Sequence, residues 1–370
     1  MKQLEHLQCC ELVLRTRSPL FIGSGDKYAK YSYLFDDKSR QVSIIDEDRL
    51  FECLVSAGRR MVDSYEAFVL GRHGGMESFF RNNRFSPADI SRVTRYKVSA
   101  ADALIPGKPL KDIFAFTRNA NGAAYIPGSS LKGALRTALI VERVRAAKKG
   151  NWPFHVDAKN QGNRISLLEG EYLNELNLKQ KNGVRANDPI NDIMRGVMVS
   201  DSEEISDDKM ILCAKIDISP QGVTNSINTC RECVRPGTDI RFRLTLDQSV
   251  LKGRITMESL RKTIQAYSDA YQQLYLKHFA KADALCDVSY DGALVLGGGA
   301  GYFSKTLTYP YLGYEAGFDD ALYVMQNFQA KEIAKKHLGA EWMGIAPHML
   351  KCTKYNGKLY PYGVCEVVLE

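Results

Sequence analysis

Short stretches in which apolar and polar residues alternate predict the β-strands of this chain. The alternation is most regular at residues 239–247, whose apolar members are Ile240, Phe242, Leu244 and Leu246. Residues 9–22 and 41–46 also have strand patterns, and the polar turn before the second favours a β-hairpin at the start of the chain. Residues 95–126 predict another hairpin, which turns at the sequence Asn-Ala-Asn-Gly.

Apolar residues spaced three and four apart predict helices between these strands. Asp46 is placed to cap one helix, residues 60–82 continue the helical pattern, and a further helix runs from residue 129 to about residue 149. The longest pattern covers residues 256–283, where His278 shares a face with regularly spaced apolar residues. Because such a face packs against a core, we interpret His278 as structural.

The order of these elements predicts an α+β fold with helices on one face of antiparallel sheets. Each half of the chain contains an elaborated strand, helix, strand, strand, helix pattern, which is typical of a ferredoxin-like, or RRM-like, unit. At 370 residues the chain is long enough for two such units. We therefore predict two domains, at residues 1–190 and 191–370, with a polar, loop-rich insertion at about residues 150–190.

Composition narrows the environment and the partner. Lys and Arg number 50 and Asp and Glu 43, and the resulting formal net charge of +7 suits a polyanionic partner without requiring one. Nine scattered cysteines do not resemble the disulfide framework of a small secreted domain. The chain shows no signal-peptide pattern and no apolar run long enough to span a bilayer. We expect a soluble, cytoplasmic protein without a membrane partner.

The most informative motif is a glycine turn that leads directly into a helix at residues 125–139. Gly128 follows a strand-breaking proline, and Ser129 or Ser130 is placed to cap the helix. The free N–H groups and the positive dipole end of such a helix favour an anion.

The same helix carries two cations and an unusual glycine. Lys132 and Arg136 are four residues apart and therefore project from one side of the first turns. Gly133 lies inside the helix, where glycine costs about 1 kcal/mol relative to alanine, so close access to the backbone is a reason for its presence. The motif predicts a phosphate-backbone contact; an ordinary capped helix with a solvated basic face is the alternative.

A second glycine-rich loop lies at residues 296–306. Its residues suited to a close ligand are Gly298, Gly299, Gly301 and Lys305. Ser304 stands where a nucleotide-hydrolase phosphate loop needs glycine before lysine, and Tyr302 stands where a dinucleotide fingerprint needs glycine. We therefore expect no nucleotide cofactor. A glycine-rich crossover packed under a sheet is the alternative.

A third glycine loop, at Gly23, Ser24 and Gly25, precedes a stretch in which tyrosines and lysines are interleaved. These residues are Lys27, Tyr28, Lys30, Tyr31 and Tyr33. Aromatic rings mixed with cations suit stacked bases and their phosphates. The same tyrosines also fit half-buried positions in a sheet.

One cysteine pair is the only local signal for a metal. Cys230 and Cys233 form a C-x-x-C sequence in the polar stretch 219–237, which we interpret as a loop. A closed zinc site needs two more ligands, so we predict free thiols and no metal. Arg231, in the same stretch, is a candidate RNA contact.

Catalytic candidates are few. None of the six histidines lies in a glycine loop, where a general acid or base for RNA cleavage is expected. Asp26, Asp36 and Asp37 could support metal-assisted or acid–base cleavage, but a hairpin turn explains the last two equally well. We predict no catalytic residue.

Four motifs together resemble the RAMP superfamily of CRISPR-associated proteins. They are Phe-Ile-Gly-Ser-Gly at 21–25, the helix start at 125–139, Val-Ser-Asp-Ser at 199–202 and the glycine-rich loop at 296–306. Within the superfamily, the chain is similar to the family of fifth subunits of the Csm complex, the type III-A RNA-guided effector. The resemblance extends from about Leu12 to residues 360–367.

The resemblance implies two ferredoxin-like RAMP domains that hold CRISPR RNA (crRNA) without base specificity, near its 3′ end. Family members cap the effector's backbone filament, contact the adjacent RAMP subunit and help host nucleases to trim the crRNA. By motif match, residues 128–133 and Arg136 contact the crRNA backbone, and residues 298–301 with Lys305 form the family's glycine-rich loop. The hairpin at 109–126 resembles the family's thumb-like element.

The sequence and the resemblance leave two functions open. The first is a non-catalytic subunit for crRNA binding, assembly and 3′ maturation in antiviral defence, favoured by three glycine loops with nearby cations. The second is a RAMP-type endoribonuclease that processes or cleaves RNA. The target-cleaving aspartate of the filament subunit is not matched by Asp26 or Asp36, so the resemblance does not transfer that activity.

Overall fold

The computed structural model describes residues 5–71, 74–105, 107–147, 168–178, 188–279, 285–327, 331–339 and 341–370. They form an α+β fold with two β-sheets, as the sequence predicts. The strands are β1 (Leu7–Thr16), β2 (Gly23–Tyr28), β3 (Tyr33–Asp36), β4 (Gln41–Ile45), β5 (Thr94–Ser99), β6 (Ile113–Phe116), β7 (Val197–Val199), β8 (Met210–Ile218), β9 (Thr224–Val234), β10 (Asp239–Asp247), β11 (Ala293–Val295), β12 (Leu350–Tyr355), β13 (Lys358–Pro361) and β14 (Val364–Leu369). The helices are α1 (Glu47–Ser56), α2 (Arg59–Gly71), α3 (Met76–Asn82), α4 (Pro87–Val93), α5 (Gly128–Ala146), α6 (Gln248–Leu251), α7 (Met257–Leu274), α8 (Thr308–Leu312), α9 (Tyr314–Asn327) and α10 (Lys331–His337).

The first sheet has five strands in the order β11-β14-β1-β10-β7, and its neighbouring strands are antiparallel. Along the chain, β1, α5, β7, β10, α7 and β14 follow one another as strand, helix, strand, strand, helix, strand. With β1 and β10 in the centre, this is a ferredoxin-like arrangement, but it combines elements from both halves of the chain, whereas the sequence predicts one such unit in each half. The apolar residues of β10 alternate as expected, and α5 and α7 pack together beside this sheet.

The second sheet has nine strands and continues the fold on the other side of the core. Seven follow the order β2-β6-β9-β8-β5-β4-β3, while β12 pairs with β8 and β13 with β12. β5 pairs with β8 and β6 with β9, both in parallel. In each pair, more than 100 residues of chain separate the two strands. A separate small core forms where α1, α3 and α4 meet, with Leu50, Leu54, Phe79 and Phe80 at its centre.

The predicted opening hairpin is wrong, although each of its strands exists. β1 pairs with β10 and β14, whereas β4 pairs with β3 and β5. Local alternation identifies a strand but not its partner, because the pairing is decided by long-range packing. For the same reason the predicted boundary near residue 190 does not separate the two sheets, since both combine strands from before and after it. Most of the predicted insertion at 150–190 lies outside the described residues.

The predicted hairpin around the Asn-Ala-Asn-Gly turn is present and anchored by a buried ion pair. The Asn119 N–H donates to the Ala123 carbonyl at 2.9 Å, which closes the turn after β6. Arg118, at the base of the turn, pairs with the buried Glu232 of β9 at 2.6 Å and with Asp207 at 2.8 Å. Glu232 also accepts the Phe116 N–H at 3.0 Å, so its charge is well compensated. The hairpin is therefore held against β9.

The helix patterns at the C-terminal side are largely confirmed. α7 buries Tyr267 and Tyr271 on its core face. His278 lies just beyond it and stacks on Tyr314 with ring centroids 4.7 Å apart, in agreement with a structural role. Within the described residues, no helix combines the length and the apolar character needed to cross a membrane.

Candidate nucleic-acid interface

The three glycine motifs, which are far apart in sequence, meet in one cleft of about 720 Å³. Its wall includes Gly23 and Gly25 from the first loop, Ser129, Ser130 and Gly133 from α5, and Gly297, Gly298 and Lys305 from the late loop. Other lining residues are Phe21, Ile22, Phe114, Thr137 and Glu169. The sequence signals thus mark parts of a single site.

The late glycine loop is fitted tightly against the first one. Gly297 has φ +93°, and a Cβ there would lie 2.4 Å from the Phe21 carbonyl oxygen, which only glycine avoids. The Gly298 N–H donates to the same oxygen at 2.8 Å. The two loops are therefore locked together, and they present Gly298 as an exposed point of backbone.

The other two glycines of the late loop serve tight packing, which is the alternative stated from the sequence. A Cβ on Gly299 would lie 2.7 Å from the Tyr362 ring, and a Cβ on Gly301 would lie 2.8 Å from Cγ of Lys351. Neither glycine lines the cleft. Ser24 of β2 does not line it either, and its hydroxyl instead accepts the Asp26 N–H at 3.1 Å.

The start of α5 is already capped by an acidic side chain. The Gly128 N–H donates to Asp201 Oδ1 at 2.8 Å, and the predicted capping by Ser129 or Ser130 is wrong. A Cβ on Gly128 would lie 2.3 Å from the Val199 carbonyl oxygen, so this glycine allows α5 to pack against the end of β7. The anion favoured by this helix start is supplied by the chain itself.

Neither Lys132 nor Arg136, the two cations of the helix, lines the cleft. Arg136 pairs with Asp192, and with Glu169 at 3.2 Å. Lys132 is half-buried near Asp192, and burial lowers its pKa. Gly133 differs from both, because it is exposed on the cleft wall and no described heavy atom beyond its own stretch of helix lies within 4 Å of an added Cβ. The open backbone of Gly133 is therefore accessible to a ligand.

Three other cations surround the cleft. Lys305 is exposed on its wall, and Lys27 Nζ lies 4.5 Å from the centroid of the Phe114 ring. The Arg231 guanidinium lies 5.4 Å from the ring of Phe21. The part of the chain that the structure describes gives none of these three cations a carboxylate partner within ion-pair distance. Their charge is available to an anionic ligand.

Arg231 lies in a strand rather than in the predicted loop. The loop prediction for residues 219–237 is wrong because β9 begins with exposed polar residues and becomes buried only toward its end. Cys230 and Cys233 lie in that buried end, and burial raises the pKa of Cys230 to about 12 and that of Cys233 as well. Protonated thiols are poor metal ligands. No group of three metal-ligating side chains occurs in the described ranges.

The exposed face of the first sheet differs from the RNA-stacking face of an RRM. It carries charged pairs, including Arg15 with Asp239 at 2.7 Å and Arg241 with Glu11. None of the described strand residues whose side chains point to that face is aromatic. The cleft at the glycine loops is therefore a better candidate for nucleic-acid binding than this face of the sheet.

The cleft has little chemistry for bond cleavage. Of its described lining residues, Glu169 is the only carboxylate and it is paired with Arg136. Neither the described histidines nor Asp26 and Asp36 line it. Its composition fits binding rather than a general acid–base pair.

Comparison with known proteins identifies the family. The sequence pattern of the family described as the RAMP superfamily matches residues 13–302 of this chain. The chain belongs to the RAMP superfamily. This confirms the resemblance stated from the sequence, and the fold agrees with RAMP structures.

Several Csm5 proteins are similar to this RAMP chain over most of their length. The CRISPR system Cms protein Csm5 of Mycobacterium tuberculosis is 26% identical, covering 99% of this chain and 98% of the relative. The protein of the same name from Streptococcus thermophilus is 27% identical, covering 80% of this chain and 79% of the relative.

Solved structures show the same RAMP fold. A chain in a cryo-EM structure of a type III-A Csm–crRNA–target RNA ternary complex aligns with a TM-score of 0.65 and 20% identity, covering 98% of this chain and 100% of that one. The crystal structure of T. onnurineus Csm5 aligns with a TM-score of 0.61 and 18% identity, covering 96% and 100%.

Sequence reasoning missed several residues that build the site. Phe21 and Ile22 lie within the first glycine motif, so the motif itself could have indicated them. Asp201 lies in the Val-Ser-Asp-Ser motif, which contributes to the sequence analysis only as part of the family pattern. No local signal marks Phe114 or Glu169.

Proposed function

We propose that this chain is a cytoplasmic, non-catalytic subunit of a type III-A Csm complex, in which it holds the 3′ portion of the crRNA by its backbone. The observation that carries the proposal is the meeting of three glycine loops in one cleft, surrounded by cations that have no carboxylate partner among the described residues. Family membership and the Csm5 names of its relatives support the assignment to a Csm complex.

The cleft suits a single strand whose backbone is contacted without base readout. Gly133 and Gly298 leave room for a sugar–phosphate backbone, because neither has a side chain to exclude it. Lys305 supplies positive charge, and the partly exposed ring of Phe114 offers a surface against which a base or ribose can pack. These contacts are tolerant of sequence, as expected of a subunit that must accept different guides.

In this proposal the chain ends the backbone filament, contacts the adjacent RAMP subunit and supports 3′ maturation by host nucleases. A similar chain, with a TM-score of 0.65, is part of a Csm complex that contains crRNA and target RNA. That likeness supports crRNA and a neighbouring Csm subunit as partners. The nucleases enter through the family resemblance alone.

The test measures binding of the full-length chain to single-stranded RNA at increasing salt. Lys305→Gln removes one phosphate contact, so we expect weaker binding and a decrease of about 0.7 in the slope of log affinity against log salt. Lys97→Gln, at an exposed position of β5, is the matched control and leaves both unchanged. Identical behaviour of the two variants contradicts the proposed cleft.

A second assay separates binding from cleavage. We expect no discrete products when the pure chain is incubated with crRNA repeat RNA, with or without Mg²⁺. Products that disappear on substitution of a single Asp, His or Tyr would favour the endoribonuclease.

A further inference from the structure

Three cations lie together on the second sheet beside the cleft. Arg231 of β9 is opposite Cys213 of β8, and Lys351 of β12 is opposite Asp217 of β8. Cys213, Lys215 and Asp217 alternate along β8 and so share one face, and residues directly opposite them project to the same face. Arg231, Lys215 and Lys351 therefore form one group, which we call the sheet cluster.

The late glycine loop joins the sheet cluster to the cleft. The Arg231 guanidinium lies 5.4 Å from the ring of Phe21, which lines the cleft, and 5.3 Å from the ring of Tyr362. Tyr362 packs under Gly299, and the side-chain stem of Lys351 lies under Gly301. Gly299 and Gly301 thus hold the loop between the cleft on one side and the cluster on the other.

The positive charge of the sheet cluster is only partly compensated. Lys351 pairs with the buried Asp217 at 2.8 Å, and this is the only ion pair that the described residues give to the cluster. The second carboxylate oxygen of Asp217 has no hydrogen-bond partner among them. One carboxylate therefore faces three cations, which leaves two positive charges for an external anion.

The surroundings of Lys215 show the cost of this arrangement. Burial lowers the pKa of Lys215, Asp217 opposes the shift, and Lys351 and Arg231 lower the pKa further. Like charges this close destabilise the folded chain unless an anion lies between them. A phosphate bound between these cations would compensate their charge, and the candidate RNA cleft lies beside them.

We propose that the sheet cluster is a second phosphate site, which takes a single-stranded RNA as it leaves the cleft across Gly298 and Gly301. This inference rests on the proposed function of the cleft. It extends the RNA path from the helix start of the first sheet onto the face formed by β8, β9 and β12, and adds Lys215 and Lys351 to the residues that hold the strand.

The experiment compares binding of a short and a long single-stranded RNA to the full-length chain. Lengths of about 4 and about 16 nucleotides span the usual site sizes of single-strand binding folds. Lys215→Gln is expected to weaken binding of the long RNA about fivefold, to decrease its salt slope by about 0.7 and to leave the short RNA unaffected. Arg231→Gln weakens the long RNA similarly, and Lys215→Arg retains wild-type binding. Lys351 is kept, because its loss would leave Asp217 buried without a partner.

Lys354→Gln is the matched control, since it removes the same charge from an exposed position of β12 whose side chain points to the opposite face. If Lys215→Gln and Arg231→Gln both bind the long RNA like Lys354→Gln, the sheet cluster is not a phosphate site. Lys305→Gln tests the cleft separately, because it weakens both RNAs. If Lys305→Gln weakens the binding of neither RNA, the proposed function is wrong. If Lys305→Gln is the only variant that weakens RNA binding, the sheet cluster is not a phosphate site but the proposed function stands. Because Arg231 lies beside both the cleft and the cluster, Lys215→Gln decides between them: equal weakening of both RNAs by this variant, at a wild-type urea midpoint, would also overturn the second site.

Discussion

Replacing Gly133 with alanine is expected to stabilise α5 and to weaken the binding of RNA in the cleft. In a helix interior, alanine is more favourable than glycine by about 1 kcal/mol. Among the described residues, no heavy atom beyond the adjoining turns of α5 lies within 4 Å of the added Cβ, so no clash there offsets this gain. We expect the free energy of unfolding to rise by about 1 kcal/mol, seen as a higher urea midpoint. The thermal midpoint should rise by only about 1 °C, because a chain of this length has a large unfolding entropy.

The same methyl group projects into the cleft at the point where the backbone of Gly133 is exposed. It occupies the space that the proposed RNA backbone needs, and we expect affinity for single-stranded RNA to fall about tenfold, which corresponds to about 1.4 kcal/mol. Fluorescence anisotropy with the full-length chain measures the affinity. A substitution that stabilises the protein and weakens its binding marks a glycine retained for function.

Gly128→Ala is the comparison within the same helix. Its Cβ would lie 2.3 Å from the Val199 carbonyl oxygen and 2.4 Å from that of Ser200, so we expect it to lose about 3 kcal/mol of stability. If Gly133→Ala is stabilised but binds RNA as the wild type does, ligand access is not the reason for the glycine. If it is destabilised instead, the space around Gly133 is not open.

Two further predictions concern packing and pH. Gly297→Ala adds left-handed strain to a contact of 2.4 Å with the Phe21 carbonyl oxygen, so we expect it to lose about 3 kcal/mol in urea unfolding. Gly253→Ala, with a positive φ but open surroundings, should lose about 1 kcal/mol, and equal losses would argue against the close loop contact. Burial, reinforced by His348, lowers the pKa of His337 from 6.5 to about 4. Between those values the unfolded chain binds a proton that the folded chain does not, so stability is full above pH 6.5 and falls by about 2 kcal/mol as the pH decreases to 4. Urea unfolding at pH 7 and pH 4.5 should show a smaller decrease for His337→Gln, and an unchanged decrease would refute this assignment.

The features that the sequence predicts correctly are local. The apolar periodicity after residue 130 identifies α5, and the alternation at 239–247 identifies β10. Each glycine loop is also visible locally, because glycine and its neighbouring cations stand together in the chain. The α+β class follows from the order of such elements.

The features that it misses depend on residues far apart in sequence. Asp201 caps α5 from beyond the whole helix, and Arg136 is held by Asp192 and Glu169. The first half of β9 is exposed and therefore polar, so its composition resembles that of a loop. A single sequence carries the parts of the cleft, whereas their meeting is decided by tertiary packing.

The central position of β1 has a consequence for synthesis of the chain. β1 is made long before its partners β10 and β14, and β14 trails it by roughly 350 residues. At about 5–20 residues per second, the ribosome leaves this apolar strand without its second neighbour for tens of seconds. The cleft, whose last wall lies at residues 297–305, is likewise absent from shortened chains. Under the proposed function, a product that terminates before residue 297 lacks this wall and cannot compete for the guide.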